Sequence, residues 1–152
     1  MEIEIIKRQI NDPLDSSRNF AIQLNKAVSV IKMLHWYVCD HNIHVILGDL
    51  YDDLTDLFDK LQEEIIGTSK EYNENFPLFN STLFQLENID DYRDNETIMS
   101  YYKKTVDDIK TILTSIEFNG YIANVKSGLN NTKEDILSRI NKANYLLSMV
   151  KI

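Results

Sequence analysis

Between His44 and Gly67 the chain carries Leu47, Leu50, Leu54, Leu57, Leu61 and Ile65, an apolar residue at every third or fourth position. That spacing puts all six side chains on one face of an α-helix, in which about 3.6 residues complete a turn. It predicts a helix from about Ile43 to Ile66, closed by Gly67 as a C-cap. A helix apolar along one side must bury that side, so the rest of the chain has to supply partners. Three further segments share the period. One runs from Leu14 to about Cys39, with Asp12 placed to cap it, Pro13 in its first turn, and Phe20, Leu24, Val28, Ile31 and Leu34 inward. Another runs from Asn95 to Glu117, with Ile98, Tyr102, Val106, Ile109 and Leu113 inward. The last, "NTKEDILSRINKANYLLSMV", opens on Thr132 as N-cap with Asp135 three residues on, and turns Ile136, Ile140, Ala143 and Leu147 inward.

Four glycines and two prolines in 152 residues are few, which favours long helices over a turn-rich β architecture. The expectation is one all-α domain over residues 1–152, long enough to bury a substantial core. Residues 68–93 break the pattern. They mix aromatics, asparagine and Pro77 without a sustained period, and fit a long connection with a short helix from Ser81 to Glu87 packing by Leu83, Phe84 and Leu86. "FNGYIANVKSGLNN", with two glycines, reads as the connection to the fourth helix. Four helices with one long middle connection suggest a four-helix bundle of the ferritin-like kind. Residues 1–12 form an arm whose "IEIIKRQI" carries apolar residues ahead of the first helix. Such an arm folds across its own subunit or a neighbour, or docks a different protein partner.

A net charge of −8 argues against broad phosphate binding, so DNA is not an expected partner. No apolar run approaches the roughly 18 residues of a membrane span. "MEIEIIKRQIND" has neither a basic n-region nor an extended apolar h-region, so no secretory signal is expected. One cysteine makes no internal disulfide, which leaves the fold independent of an oxidising compartment. A cytoplasmic location is therefore expected. Abundant lysine, asparagine and isoleucine are in keeping with an AT-rich genome, phage genomes included.

The chemistry concentrates in "MLHWYVCDHNIHVILGDLYDDLTDLFDKLQEE", which holds all three histidines, the sole tryptophan and the sole cysteine. His35 follows Ile31 by one turn and lies beside the inward face of the first helix; His44 opens the second. Antiparallel helices bring the end of one beside the start of the next, so the two imidazoles can approach. They are either helix-end histidines satisfied by backbone carbonyls or a pair of metal ligands. On the second helix, at about 100° per residue, Asp52, Asp56, Asp59 and Glu63 make one stripe nearly opposite the leucines. This stripe is either a solvated face or a second set of ligands. Asp59 stands about 22 Å along the helix from His44, too far for both to bind one ion within one chain. A second copy packed antiparallel on that face would bring His35 and His44 of one chain to Asp59 and Glu63 of the other, twice. Such a nitrogen and carboxylate set suits Fe²⁺ or Zn²⁺ better than Mg²⁺ or Ca²⁺. A di-iron centre inside one bundle is excluded, because that design needs Glu-x-x-His on two helices and the third and fourth helices hold no histidine.

"LHW", His44 and "DKLQE", in this register, resemble the Dps branch of the ferritin superfamily, the mini-ferritins, over residues 31–64. The resemblance implies that His35 and His44 ligate iron from one chain and Asp59 and Glu63 from its dimer partner. It implies oxidation of Fe²⁺ by peroxide or oxygen, storage inside a homo-oligomeric (dodecameric) shell assembled through the second helix, and Trp36 near the metal, where it intercepts oxidising equivalents. Zn²⁺ would serve as a surrogate, with Asp52 and His41 as reserve ligands. Three departures stand out. The loop between the histidines is shorter than usual in that family. Gly48 occupies the place, one turn after the second histidine, where the family commonly has an aspartate. The N-terminal arm is no lysine-rich DNA-binding tail. Outside the resemblance, His41 faces solvent, Trp36 is a large packing residue at an interface and Cys39 a small apolar residue. The alternative function is a ferritin-fold structural or interaction protein, for example of a phage, with a degenerate or absent metal site, at home in the host cytoplasm or the virion. A third and weaker reading, a Mg²⁺-dependent all-α nucleotide pyrophosphatase, leaves the histidines unexplained.

Overall fold

The computed structural model describes residues 13–68, 94–115 and 123–151. These form four helices: α1 (Pro13–Tyr37), α2 (His41–Thr68), α3 (Asn95–Ser115) and α4 (Ala123–Ser148). No strand occurs among the described residues, which form an all-α bundle. The N-terminal arm, the Asp12 cap and the short helix expected near residues 81–87 lie outside the described residues.

The helix starts follow local chemistry. Asp40 caps α2: its Oδ1 accepts from the Ile43 N–H at 3.0 Å and its carbonyl from the His44 N–H at 2.9 Å. Asp94 caps α3 in the same way, its Oδ2 accepting from the Thr97 N–H at 3.3 Å and from the Thr97 hydroxyl at 3.1 Å. Only residues 38–40 separate α1 from α2, which makes these two helices an antiparallel hairpin.

Helix ends shift from the sequence expectation: α1 ends at Tyr37 rather than about Cys39, and α2 begins at His41 rather than about Ile43. α2 runs through Gly67 to Thr68, and no described glycine has a positive φ, so Gly67 is not a left-handed C-cap. α4 begins at Ala123, well before Thr132, and Gly128 lies inside it. A glycine in a helix costs about 1 kcal/mol relative to alanine. Fully buried Leu129, one turn ahead of Thr132, offsets that cost. Thr132 is therefore not an N-cap. It is buried mid-helix, and its hydroxyl donates to the Glu64 Oε1 at 2.6 Å.

The core is built as the periodicity dictates. Ile31, Leu47, Leu54, Ile98, Ile109, Ile136 and Ile140 are completely buried, one or two from each helix. Leu57 and Val28, expected inward, are half-buried at the margin, whereas Phe58 and Ala27 are buried. Tyr102, also in the core, donates its hydroxyl hydrogen to the Asn144 Oδ1 at 2.6 Å. Removing that phenol from water pushes its pKa above the usual value near 10.

Two hydrogen bonds fix the helix directions. Glu64, late in α2, meets Thr132 in the first half of α4; Tyr102, early in α3, meets Asn144 late in α4. α4 is thus antiparallel to both, and α2 and α3 run parallel. α1 packs on α2 and α3, while α4 packs on α2. The end of α1 and the starts of α2 and α3 share one end of the bundle, where all three histidines lie.

Candidate metal centre

His35 occupies the last turn of α1, and His44 the first turn of α2. Their rings stack with centroids 3.9 Å apart and planes 18° from parallel. The His35 Nδ1 lies 2.7 Å from the His44 carbonyl oxygen, and the His44 Nδ1 lies 2.7 Å from the His35 carbonyl oxygen. A carbonyl only accepts, so each Nδ1 carries the hydrogen and donates it. In the neutral ring the lone pair then sits on Nε2. The His44 ring also serves α1, because carbonyls in a last helical turn lack a partner within the helix. The two readings of this pair are therefore compatible. The histidines are satisfied by backbone carbonyls, and a ligating histidine characteristically does the same with the nitrogen that does not face the metal.

Gly48 makes this arrangement fit. A Cβ added there would stand 2.7 Å from the His35 Cε1, 3.0 Å from its Nδ1 and 3.5 Å from its Nε2. The ring rests directly on the α2 backbone, one turn after His44. In sequence this glycine looked like a missing carboxylate; in the fold it is the seat of an imidazole. Its one sequence signal is its place in the middle of a strongly periodic helix, where glycine is otherwise disfavoured.

The ring geometry limits what the pair can hold. A metal lies in the plane of its imidazole, about 2.0–2.1 Å from the nitrogen. Rings stacked only 18° from parallel do not aim two lone pairs at one ion at that range. They offer two single-nitrogen positions side by side, or one of them turns.

His41 is exposed, with its ring centroid 6.4 Å from that of His44. Trp36 is 57% exposed in the single chain. The Lys32 Nζ lies 5.1 Å from the Trp36 ring and 5.3 Å from the Tyr51 ring, so one ammonium bridges the two aromatics on α1 and α2. Met33, Tyr37 and Val45, on the turns flanking the histidines, are also exposed. Cys39, expected as a small apolar residue, is exposed in the α1–α2 turn.

Asp52, Asp56, Asp59 and Glu63 are all exposed along α2, as their angular positions require. Glu64 instead turns toward α4 and Thr132. The fold brings His35 and His44 together, with His41 on their flank, while Asp59 and Glu63 stand about 22 Å or more along α2 from His44. Among the described residues no group of three or more His, Cys, Asp or Glu side chains converges. Comparison of the chain with protein-family models, curated proteins and solved structures gives no match.

Proposed function

We propose that this protein is a Dps-like ferritin homologue that takes up Fe²⁺ as substrate between subunits paired through α2. It oxidises the iron with peroxide or oxygen and stores the product inside a homo-oligomeric shell. The observation that carries this reading is the reciprocal histidine pair, whose Nδ1 atoms are committed to carbonyls and whose Nε2 atoms bear the lone pairs. The parallel course of α2 and α3 agrees with a ferritin-like bundle having one long crossover. The exposed acids on the far half of α2 supply what the histidines lack.

In this reading His35 and His44 each offer Nε2 to an iron position of its own, side by side, and Asp59 and Glu63 of a second copy complete the site. Imidazole nitrogen suits the ferrous ion, and carboxylate oxygen tolerates the ferric product. The two-fold pairing makes two such sites per dimer. A net charge of −8 helps draw cations toward the assembly.

Anaerobic Fe²⁺ titration followed by oxidant tests the proposal on the wild type and on His35→Ala. Expected are stoichiometric binding and oxidation faster than free iron in the wild type, both lost in the variant. A wild type that binds no iron and does not speed its oxidation would overturn it. The second reading, a ferritin-fold interaction protein, draws on exposed Met33, Trp36, Tyr37 and Val45 at the same end of the bundle. There the histidine pair only clasps the hairpin, and the apolar surface docks a protein.

A further inference from the structure

We infer that Gly48 is a positioning residue, whose missing side chain seats the His35 ring on α2 and thereby orients both imidazoles. The inference deepens the metal-site reading and takes from it the role of His35 and His44 as ligands; the packing argument itself does not depend on iron. Three glycines are described, and the other two differ in kind. A Cβ at Gly67 would meet nothing within 4 Å, and one at Gly128 would meet the Glu64 Oε2 at an ordinary 3.5 Å. Only at Gly48 does the added atom overlap a neighbour, at 2.7 Å. Backbone freedom does not explain the residue, because no described glycine has a positive φ. Space explains it.

The obstructing atoms belong to a ring that is held on two sides. One side is the 2.7 Å hydrogen bond to the His44 carbonyl, and the other is the stack on the His44 ring. A side chain at position 48 must displace that ring, which breaks the hydrogen bond and removes the stacking partner of His44. A carboxylate at position 48 and the stacked pair therefore exclude one another. This chain has the stacked pair, so position 48 contributes no carboxylate at this end of the bundle.

The test is a four-member thermal-unfolding cycle: wild type, Gly48→Ala, His35→Ala and the double variant. Gly48→Ala is expected to lower Tm in the wild-type background and to raise it in the His35→Ala background, where only the better helix propensity of alanine remains. In long-range ¹H–¹⁵N spectra, both wild-type rings should show the Nδ1–H tautomer. Gly48→Ala should abolish that signature for His35 and shift His44. Failure of the single variant to fold while the double variant folds would also support the inference. A rise in Tm in both backgrounds, or unchanged ring signals, would overturn it. A reversed sign together with absent iron binding supports the role of Gly48 and removes only the metal-site reading. Iron binding without the reversal removes the role of Gly48 alone.

Discussion

A phenol buried among helices has one hydrogen to place, and Tyr102 gives it to Asn144. Because burial raises its pKa, the folded protein keeps that proton at pH values where the unfolded chain releases it. Above about pH 10 the unfolded state binds fewer protons than the folded state, so stability falls as pH rises. The contribution is fully present below that pH. Tyr102→Phe should therefore flatten the alkaline limb of a urea-midpoint profile, while costing about 1 kcal/mol near neutrality through the lost hydrogen bond. A variant with the wild-type alkaline slope would show that Tyr102 is not the group responsible. The inward position of Tyr102 was legible from its helical spacing; its partner was not, because Asn144 lies 42 positions away. Gly48 was illegible for a related reason. Counting ligands along a sequence registers a missing carboxylate but not the ring that fills its place.

Helix limits were legible where a side chain caps the backbone locally. Asn95 opens α3 where the sequence places it, with Asp94 as its cap. The start of α4 was misread because Gly128, Asn130 and Asn131 have the composition of a loop, while buried Leu129 and the contact of Thr132 with Glu64 come from tertiary packing. Local propensity lost to burial there. Asp40 shows how a cap bears on the candidate site, since it fixes the first turn of α2 next to His44. Asp40→Ala should destabilise the protein by about 1 kcal/mol, and Asp40→Asn by far less, because asparagine caps nearly as well. Denaturant midpoints of the two variants check this, and equal losses would indicate that charge rather than capping matters at this position.

The arrangement of the four helices was only partly legible. Their number and inward faces follow from periodicity, whereas the parallel course of α2 and α3 emerges from two side-chain hydrogen bonds between residues distant in sequence. At this scale the metal-site proposal makes its strongest demand, because each site needs two chains. Neither a His35→Ala/His44→Ala protein nor an Asp59→Ala/Glu63→Ala protein should bind iron alone. Mixing and reassembling them should restore binding, since each mixed dimer regains one complete site. No recovery, with mixed dimers verified by native mass spectrometry, would exclude sites shared across α2. The histidine clasp has a consequence for how such a dimer forms. It joins residues only nine positions apart, so its loop-closure entropy is small and a loop of that size closes within about 10–100 ns. The contacts joining α4 to α2, which span 68 positions between Thr132 and Glu64, require a far larger closure. The imidazoles are therefore oriented by a contact local to the α1–α2 hairpin. In the proposed dimer a second subunit would meet them preorganised, and its binding energy would not be spent on ordering them.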